Sequence, residues 1–244
     1  MKKVQLHLTK TVLTDNELIS KLQGFLMEEI ASEYAGILHQ QETNPYSTNL
    51  ISDQNESVWT VNLLTNEAEE HILPKLMSLE KIDLKSFSNT IVVKHVTMQT
   101  LSQEHLLEIF QSNEESHLIH LTFYTPTTFK SQGSYALFPD TRLIFQSLMQ
   151  KYTRLVEQKD EIEEETLIFL AEHSRISSYQ LKSYYFSVHR KKFPAFKGRI
   201  TIKISGPATL KAYANMLLKF GEYSGIGIKC SLGMGGMRIE ERKT

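Results

Sequence analysis

Histidine is the side chain in this sequence best suited to transfer a proton near neutral pH, and the chain contains nine. One of them, His39, lies in the segment "LHQQETNPYS" (38–47), directly after the first predicted helix. Connecting segments tend to expose their side chains and to carry functional residues. We therefore take His39 as the first candidate for an acid or a base.

Metal chemistry has no comparable support in the sequence. His117 and His120 lie three residues apart on a predicted strand, so their side chains point to opposite faces and cannot share a metal ion. No cluster of histidine, aspartate and glutamate has metal-site spacing, and the single cysteine, Cys230, excludes a cysteine metal cluster or an internal disulfide. We expect neither a metal nor a cofactor.

Glycine is concentrated near the C-terminus, where "FGEYSGIGIKCSLGMGGMRIEERKT" (220–244) holds six of the eleven glycines. A dinucleotide fingerprint needs a helix after its glycines, and a P-loop needs serine or threonine after its lysine, so neither motif is present. Two interpretations remain open. Consecutive backbone N–H groups form an anion-binding nest, or a tight hairpin folds over the preceding helix without a ligand.

The charge of the chain is divided unevenly, although the net charge is only −1. Residues 1–120 carry 8 Lys/Arg and 17 Asp/Glu, a net of −9, whereas residues 121–244 carry 19 and 11, a net of +8. A basic half is typical of a protein with a polyanionic partner. Attraction between the halves, or basic faces that contact only water, would also account for it.

Within the basic half, "HRKKFPAFKGR" (189–199) alternates cationic and aromatic side chains, whereas "DEIEEE" (160–165) is acidic. The first composition suits contacts with nucleic-acid phosphates combined with base stacking. The chain shows no apolar run of membrane-spanning length and no signal peptide. Its single cysteine fits a reducing compartment, so we expect a cytoplasmic protein.

The elements that would position these residues follow one order twice. In the first half, strands and helices are predicted at 4–8, 14–30, 48–51, 58–64, 66–79 and 90–98. Thr14 and Glu17 form the pattern of a capping box, and "SDQNES" (52–57) supplies turn residues for a hairpin. The order β-α-β-β-α-β is that of a ferredoxin-like unit.

The second half repeats this order with one additional helix. Its elements are predicted at 117–124, 139–155, 162–174, 176–190, 198–204, 207–221, 226–232 and 237–241. The sequence therefore predicts an α+β protein of two tandem ferredoxin-like units with a glycine-rich loop near the C-terminus. We place the domains at 1–112 and 117–244.

Three stretches resemble one known family. They are "EYSGIGIKCSLGMGG" (222–236), "FYTPTTFKSQGSYALFPDTRLIFQSLMQKY" (123–152) and "GILHQQETNPYSTNLI" (36–51). Together they are similar to the CRISPR-associated repeat-processing endoribonucleases of the repeat-associated mysterious protein superfamily. The resemblance spans essentially the whole chain.

The resemblance implies binding of CRISPR repeat RNA in a precursor transcript and one cut per repeat, without a metal. The 2′-hydroxyl attacks the adjacent phosphate and leaves a 2′,3′-cyclic phosphate and a 5′-hydroxyl. The alternative is a non-catalytic subunit that coats guide RNA in an effector complex. A generic RNA-recognition module is disfavoured because no strand carries the aromatic pattern of such modules. Transient contact with an effector complex, and the choice between monomer and homodimer, are left open.

The resemblance also implies roles for single residues. His39 matches the position at which the family often carries its catalytic histidine. Several members place a lysine a few residues later, but none occurs here between Lys21 and Lys75. Lys130 is then the first candidate to meet the charge of the phosphorane, and Lys229 the second. Tyr34 and Tyr46 are candidates to donate a hydrogen bond to the phosphate, unless they are packed aromatics.

The predicted RNA contacts are of two kinds. Glycines that would let the RNA backbone approach closely are Gly225, Gly227, Gly233, Gly235 and Gly236. Cations that would contact phosphates are Lys229, Arg238, Arg190, Lys192, Lys197 and Arg199.

Overall fold

The computed structural model describes residues 1–85, 90–112, 117–188 and 191–240, and its contacts divide the chain into two compact units. The first unit comprises 1–100 with 229–233, and the second comprises 101–228 with 234–244. This division differs from the predicted limits in assigning 101–112 to the second unit and 229–233 to the first. The limits of independently folding domains stay a prediction.

The first unit combines an antiparallel sheet with α-helices and with a short 3₁₀ helix at Cys230–Leu232. Its elements are β1 (Lys2–Thr9), α1 (Asp15–Glu29), α2 (Ser32–Gln40), β2 (Tyr46–Ser52), β3 (Glu56–Leu63), α3 (Asn66–Met77), β4 (Lys81–Ile82) and β5 (Ile91–Thr100). The strand order is β2-β3-β1-β5-β4. The predicted ferredoxin-like order is confirmed, with α2 and β4 as additions.

Local signals explain where these elements begin and which face they bury. Thr14 accepts a hydrogen bond from the backbone of Glu17, whose carboxylate accepts one in return from the backbone of Thr14, so the predicted capping box is confirmed. Leu18, Leu22 and Leu26 of α1 are buried along one helical stripe. Each fully buried leucine contributes about 1.5–3 kcal/mol relative to an exposed one. Capping and burial therefore fix α1 by independent means.

The second unit is a four-stranded antiparallel sheet with helices and a small hairpin. Its elements are α4 (Gln103–Gln111), β6 (Leu118–Thr127), β7 (Phe129–Ser131), β8 (Ser134–Ala136), α5 (Thr141–Leu155), α6 (Glu164–Glu172), β9 (Ser174–Val188), β10 (Lys191–Ile204), α7 (Ala208–Ser224) and β11 (Met237–Ile239). The sheet order is β11-β6-β10-β9, which confirms the second ferredoxin-like unit. Among the described residues, no helix has the length and hydropathy needed to cross a bilayer.

The predicted strand at 226–232 is wrong. Gly225, Gly227 and Lys229 all have positive φ angles, of 65°, 76° and 58°, and a short 3₁₀ helix follows at Cys230–Leu232. Left-handed residues at every second position cannot continue a pleated strand. The strand was predicted from the alternation of isoleucine and glycine. In the structure, the same alternation belongs to a segment with repeated turns.

Candidate active site

His39 lies in the last turn of α2, so its predicted position in a connecting loop is wrong. Helix α1 ends at Ile30, and α2 follows it directly. The buried face of α2 carries Tyr34, Ala35 and Leu38. The His39 side chain is exposed, and no other described residue hydrogen-bonds to its ring. His39 is therefore exposed as expected, but because it lies on the solvent face of a short helix rather than in a loop.

The chain after α2 anchors the 3₁₀ helix within the first unit. Asn44 Nδ2 donates a hydrogen bond of 3.2 Å to Ser231 Oγ. The Tyr46 hydroxyl is hydrogen-bonded to the side chains of Gln23 and Ser231. Burial raises the pKa of Tyr46 above its ordinary value, so this group stays a neutral phenol. Ser231 thus joins the segment that follows His39, and sequence reasoning missed it because a lone serine carries no signal.

Tyr34 differs from Tyr46 in having no partner for its hydroxyl. It is only 2% exposed, its ring stacks on His71 at a centroid distance of 4.2 Å, and its oxygen has no hydrogen bond within the described structure. Burial, followed by the charge of Glu67, raises the pKa of Tyr34 to about 12. Tyr34 is a buried residue on the inner face of α2. That its hydroxyl donates a hydrogen bond to the phosphate stays a prediction.

Removing the Tyr34 hydroxyl should cost little. An unpaired buried hydroxyl is already desolvated, so Tyr34→Phe should change the free energy of unfolding by less than about 1 kcal/mol, whereas Tyr46→Phe should destabilise by about 1–2 kcal/mol because Ser231 and Gln23 lose a partner. Thermal unfolding of both variants measures this difference. If Tyr34→Phe slowed RNA cleavage about tenfold at unchanged stability, its hydroxyl would act on the substrate.

The two candidate lysines fall in different units. Lys229 directly precedes the 3₁₀ helix and adopts a left-handed conformation, in the same segment as Ser231 of the first unit. Lys130 is exposed on β7 of the second unit. Their assignment to the phosphorane charge stays a prediction. No set of three or more His, Cys, Asp or Glu among the described residues is arranged to hold a metal ion.

The glycines of the loop are buried, and several of their N–H groups donate hydrogen bonds to the protein itself. Within the second unit, Gly227 N donates to Ser147 Oγ (2.8 Å), Gly235 N to the carbonyl of Pro126 (3.0 Å) and Gly236 N to Thr125 Oγ1 (2.7 Å). A nest needs such groups turned toward the anion. These three amides therefore do not form one.

Close packing explains why glycine occupies these positions. A Cβ atom on Gly227 would lie 2.2 Å from the carbonyl oxygen of Thr128, and one on Gly236 would lie 2.7 Å from the Tyr124 ring. In the first unit, a Cβ on Gly233 would lie 2.5 Å from Ile19. The structure favours a loop packed by the protein's own atoms. Contacts of Gly225, Gly227, Gly233, Gly235 and Gly236 with RNA stay predictions.

The predicted cations of the second unit lie mainly on its sheet. Arg199 Nε is 3.3 Å from Glu240 Oε1, and Arg238 is exposed on β11. Glu240 also accepts a hydrogen bond from Thr122, and this bond, followed by the charge of Arg199, lowers the pKa of Glu240. The carboxylate therefore stays charged and competes with a phosphate for Arg199.

Lys192 and Lys197 lie on β10, the strand that also carries Arg199. Lys197 Nζ lies 5.5 Å from the centre of the Tyr184 ring, and Lys192 is exposed opposite Ser187. Arg190 lies outside the described residues. An aromatic ring beside a lysine is the combination that binds a phosphate and an unstacked base together.

Comparison with known proteins identifies the family. The family model described as "CRISPR-associated endoribonuclease Cas6" matches residues 121–237. A CRISPR-associated endoribonuclease Cas6 from Streptococcus thermophilus is 52% identical over 227 residues, which cover 93% of each chain. This chain belongs to the Cas6 family. A Cas6 from Mycobacterium tuberculosis is 35% identical over 90% of this chain and 70% of that protein.

Solved Cas6 structures share the fold of this Cas6 protein. A Cas6 product complex superposes with a TM-score of 0.82 at 23% identity, covering 99% of this chain and 100% of that one. A Thermus thermophilus Cas6 gives 0.73 at 19% identity, with 98% of each chain covered. A Cas6-related protein from Pyrococcus furiosus gives 0.64 at 13% identity, with 99% of each covered. The predicted family, fold class and enzyme class, an endoribonuclease, are confirmed.

Proposed function

We propose that this Cas6 enzyme binds the repeat of a CRISPR precursor RNA and cuts it once per repeat without a metal ion. The observation that carries the proposal is His39, an exposed histidine at the end of α2, followed by the segment whose Asn44 and Tyr46 hold Ser231. The similar Streptococcus thermophilus protein is named as an endoribonuclease, which supports the same reaction class.

The reaction is an internal transfer of the phosphate. A base removes the proton of the 2′-hydroxyl, its oxygen attacks the adjacent phosphorus, and the bond to the 5′-oxygen breaks as an acid protonates that oxygen. The products are a 2′,3′-cyclic phosphate and a 5′-hydroxyl. His39 serves as one of the two proton-transfer groups, and Lys130 or Lys229 stabilises the charge of the phosphorane.

A cleavage assay tests this proposal directly. End-labelled repeat RNA is incubated with the enzyme in excess EDTA, beside the same RNA carrying one 2′-deoxy nucleotide at the cut site. We expect a single cut in the first RNA and none in the second, because the deoxy sugar lacks the nucleophile. Cleavage of the deoxy RNA would exclude the 2′-hydroxyl mechanism, and loss of cleavage in EDTA would show that a metal is needed.

The alternative function, a subunit that only coats guide RNA, is separated by the same assay. Tight binding of the repeat with no cut in either RNA would assign the protein to that class, and His39 would be an ordinary surface histidine. A cytoplasmic location, transient contact with an effector complex and a homodimer stay predictions.

Lys197 and Arg199 of the second unit should strengthen RNA binding by contacting phosphates of the RNA. Replacing Lys197 and Arg199 by alanine should flatten the dependence of log Kd on log salt by about 0.7–0.9 for each lost phosphate contact. Arg199 should contribute less than Lys197, since Glu240 lies 3.3 Å from its guanidinium. Lys81→Ala is the matched control, because Lys81 lies in the acidic first half beside Asp83. An unchanged slope in the double variant would remove both residues from the interface.

A further inference from the structure

The helical layer of the second unit contains a groove whose lining includes none of the candidate active-site residues. It has a volume of about 560 Å³, within the size range of binding sites. Its lining includes Phe110, Met149, Glu157, Glu163, Phe169 and Tyr213. We call it the α4–α6 groove, since α4 supplies Phe110 and α6 supplies Phe169.

The groove is apolar at its base and exposes aromatic side chains. Met149 is almost completely buried, whereas Phe110 is 38% and Phe169 40% exposed. The Phe110 ring meets Tyr213 edge to face at 6.3 Å, so the exposed ring is held in place by a partly buried one. Fixed aromatic rings that remain open to solvent are the usual anchors of protein interfaces.

The rim of the groove is acidic. Residues 157–165 carry six carboxylates and one lysine, a net charge of −5, although they lie in the basic half of the chain. Within this stretch, Lys159 Nζ is 3.6 Å from Glu157 Oε2, and Glu163 accepts a hydrogen bond from Thr166. Arg142 of α5 pairs with Glu164 and so compensates one further carboxylate of this stretch. Among the described residues that line the groove, Glu157, Glu161 and Glu163 stand against one cation, Lys159, so the rim repels RNA phosphates and attracts cations.

Tyr213 adds a hydrogen-bond donor to this apolar surface. Burial, followed by the charge of Glu157, raises the pKa of Tyr213 to about 12. The phenol therefore keeps its proton throughout the physiological range. A backbone carbonyl of a bound chain is a suitable acceptor for it.

We propose that the α4–α6 groove binds a segment of a partner protein in which large apolar side chains are flanked by lysine or arginine. The apolar side chains fill the space between Phe110 and Phe169, and the cations pair with the carboxylates of 157–165. The negative charge of the rim favours a cationic partner over RNA as the occupant of this groove. The proposal is independent of the cleavage mechanism, because none of the groove residues belongs to the candidate active site.

Selection of peptides tests the proposal without knowledge of the partner. A phage-displayed library of short random peptides is panned on the full-length enzyme with repeat RNA bound. We expect enrichment of peptides that combine large apolar residues with lysine or arginine. Fluorescence anisotropy with a labelled selected peptide should then show affinity about tenfold or more weaker for Phe169→Ala. The Glu157→Gln/Glu161→Gln/Glu163→Gln variant should show similar weakening and a shallower dependence on salt.

The control is Phe138→Ala, since Phe138 is an exposed phenylalanine of the same unit outside the groove. It should leave peptide affinity unchanged, and all variants should cleave repeat RNA at the wild-type rate and unfold at similar temperatures.

The proposal is overturned if no such peptide is enriched, or if the Phe169 and glutamine variants bind the peptide as well as wild type. It is also overturned if the wild-type enzyme sediments as a dimer that Phe169→Ala dissociates, because the groove would then be covered by a second copy. Loss of RNA affinity in the glutamine variant would assign the rim to the substrate instead.

Discussion

Replacement of His39 by alanine should lower the rate of repeat cleavage by roughly 10²–10⁴-fold, the usual contribution of one proton-transfer group. RNA affinity should stay nearly unchanged. The His39 side chain is exposed and makes no hydrogen bond to any other described residue, so its removal leaves neither a cavity nor an unpaired partner. Single-turnover cleavage and filter binding, measured with the same RNA, separate the two quantities.

The control for this substitution is another exposed histidine. His105 lies in the first turn of α4, where it pairs with Glu108 at 3.2 Å, and His105→Ala should cleave RNA at the wild-type rate. A parallel loss of rate and affinity in His39→Ala would make His39 a binding residue. An undiminished rate would exclude it as acid or base and would leave the proposed reaction without its principal residue.

Replacement of Gly227 by alanine should destabilise the protein by about 3 kcal/mol or more, because two costs act together. The added Cβ would lie 2.2 Å from the carbonyl oxygen of Thr128, which already accepts a hydrogen bond of 3.1 Å from the Ile228 amide. The φ angle of 76° also disfavours any residue with a side chain. In thermal unfolding this corresponds to a fall in Tm of roughly 6–12 °C.

Gly24→Ala is the matched control and should have the opposite sign. Gly24 lies inside α1 with no atom within 4 Å of its added Cβ, so alanine should stabilise by about 1 kcal/mol through helix propensity. If Gly227→Ala unfolded at the wild-type temperature, packing would not explain the glycine. The RNA affinity of the folded Gly227→Ala variant then distinguishes the predicted RNA contact from packing, since a residue that only packs leaves RNA affinity intact.

The order of most elements can be predicted from the sequence, because the signals for these elements are local. The capping box of Thr14 and Glu17, the turn residues 52–57 and the apolar stripe of α1 each depend on neighbours within a few residues. These patterns predict the same structure in an isolated segment as in the folded chain. Two repeats of β-α-β-β-α-β then leave few alternatives to a pair of ferredoxin-like units.

Helix α2 shows where local signals become ambiguous. Its nine residues are bounded by no side-chain cap, and the polar segment after Leu38 predicted a loop. Burial of Tyr34 and Leu38 against the rest of the first unit provides the energy that holds a helix this short. The sequence therefore predicts His39 as a candidate functional residue, but it does not predict the helix in which His39 lies.

The packing of the glycine-rich loop depends on contacts between distant parts of the chain. The Asn44–Ser231 hydrogen bond joins residues 187 positions apart, and the Thr128 carbonyl that excludes a side chain at Gly227 is almost 100 residues away along the chain. Similarly, the sequence offers Tyr34 and Tyr46 as equal candidates, whereas the fold leaves one hydroxyl unpaired and bonds the other to Ser231. Contacts of this range depend on how the whole chain packs, so residue type and spacing predict the presence of glycine but not the atoms that require it.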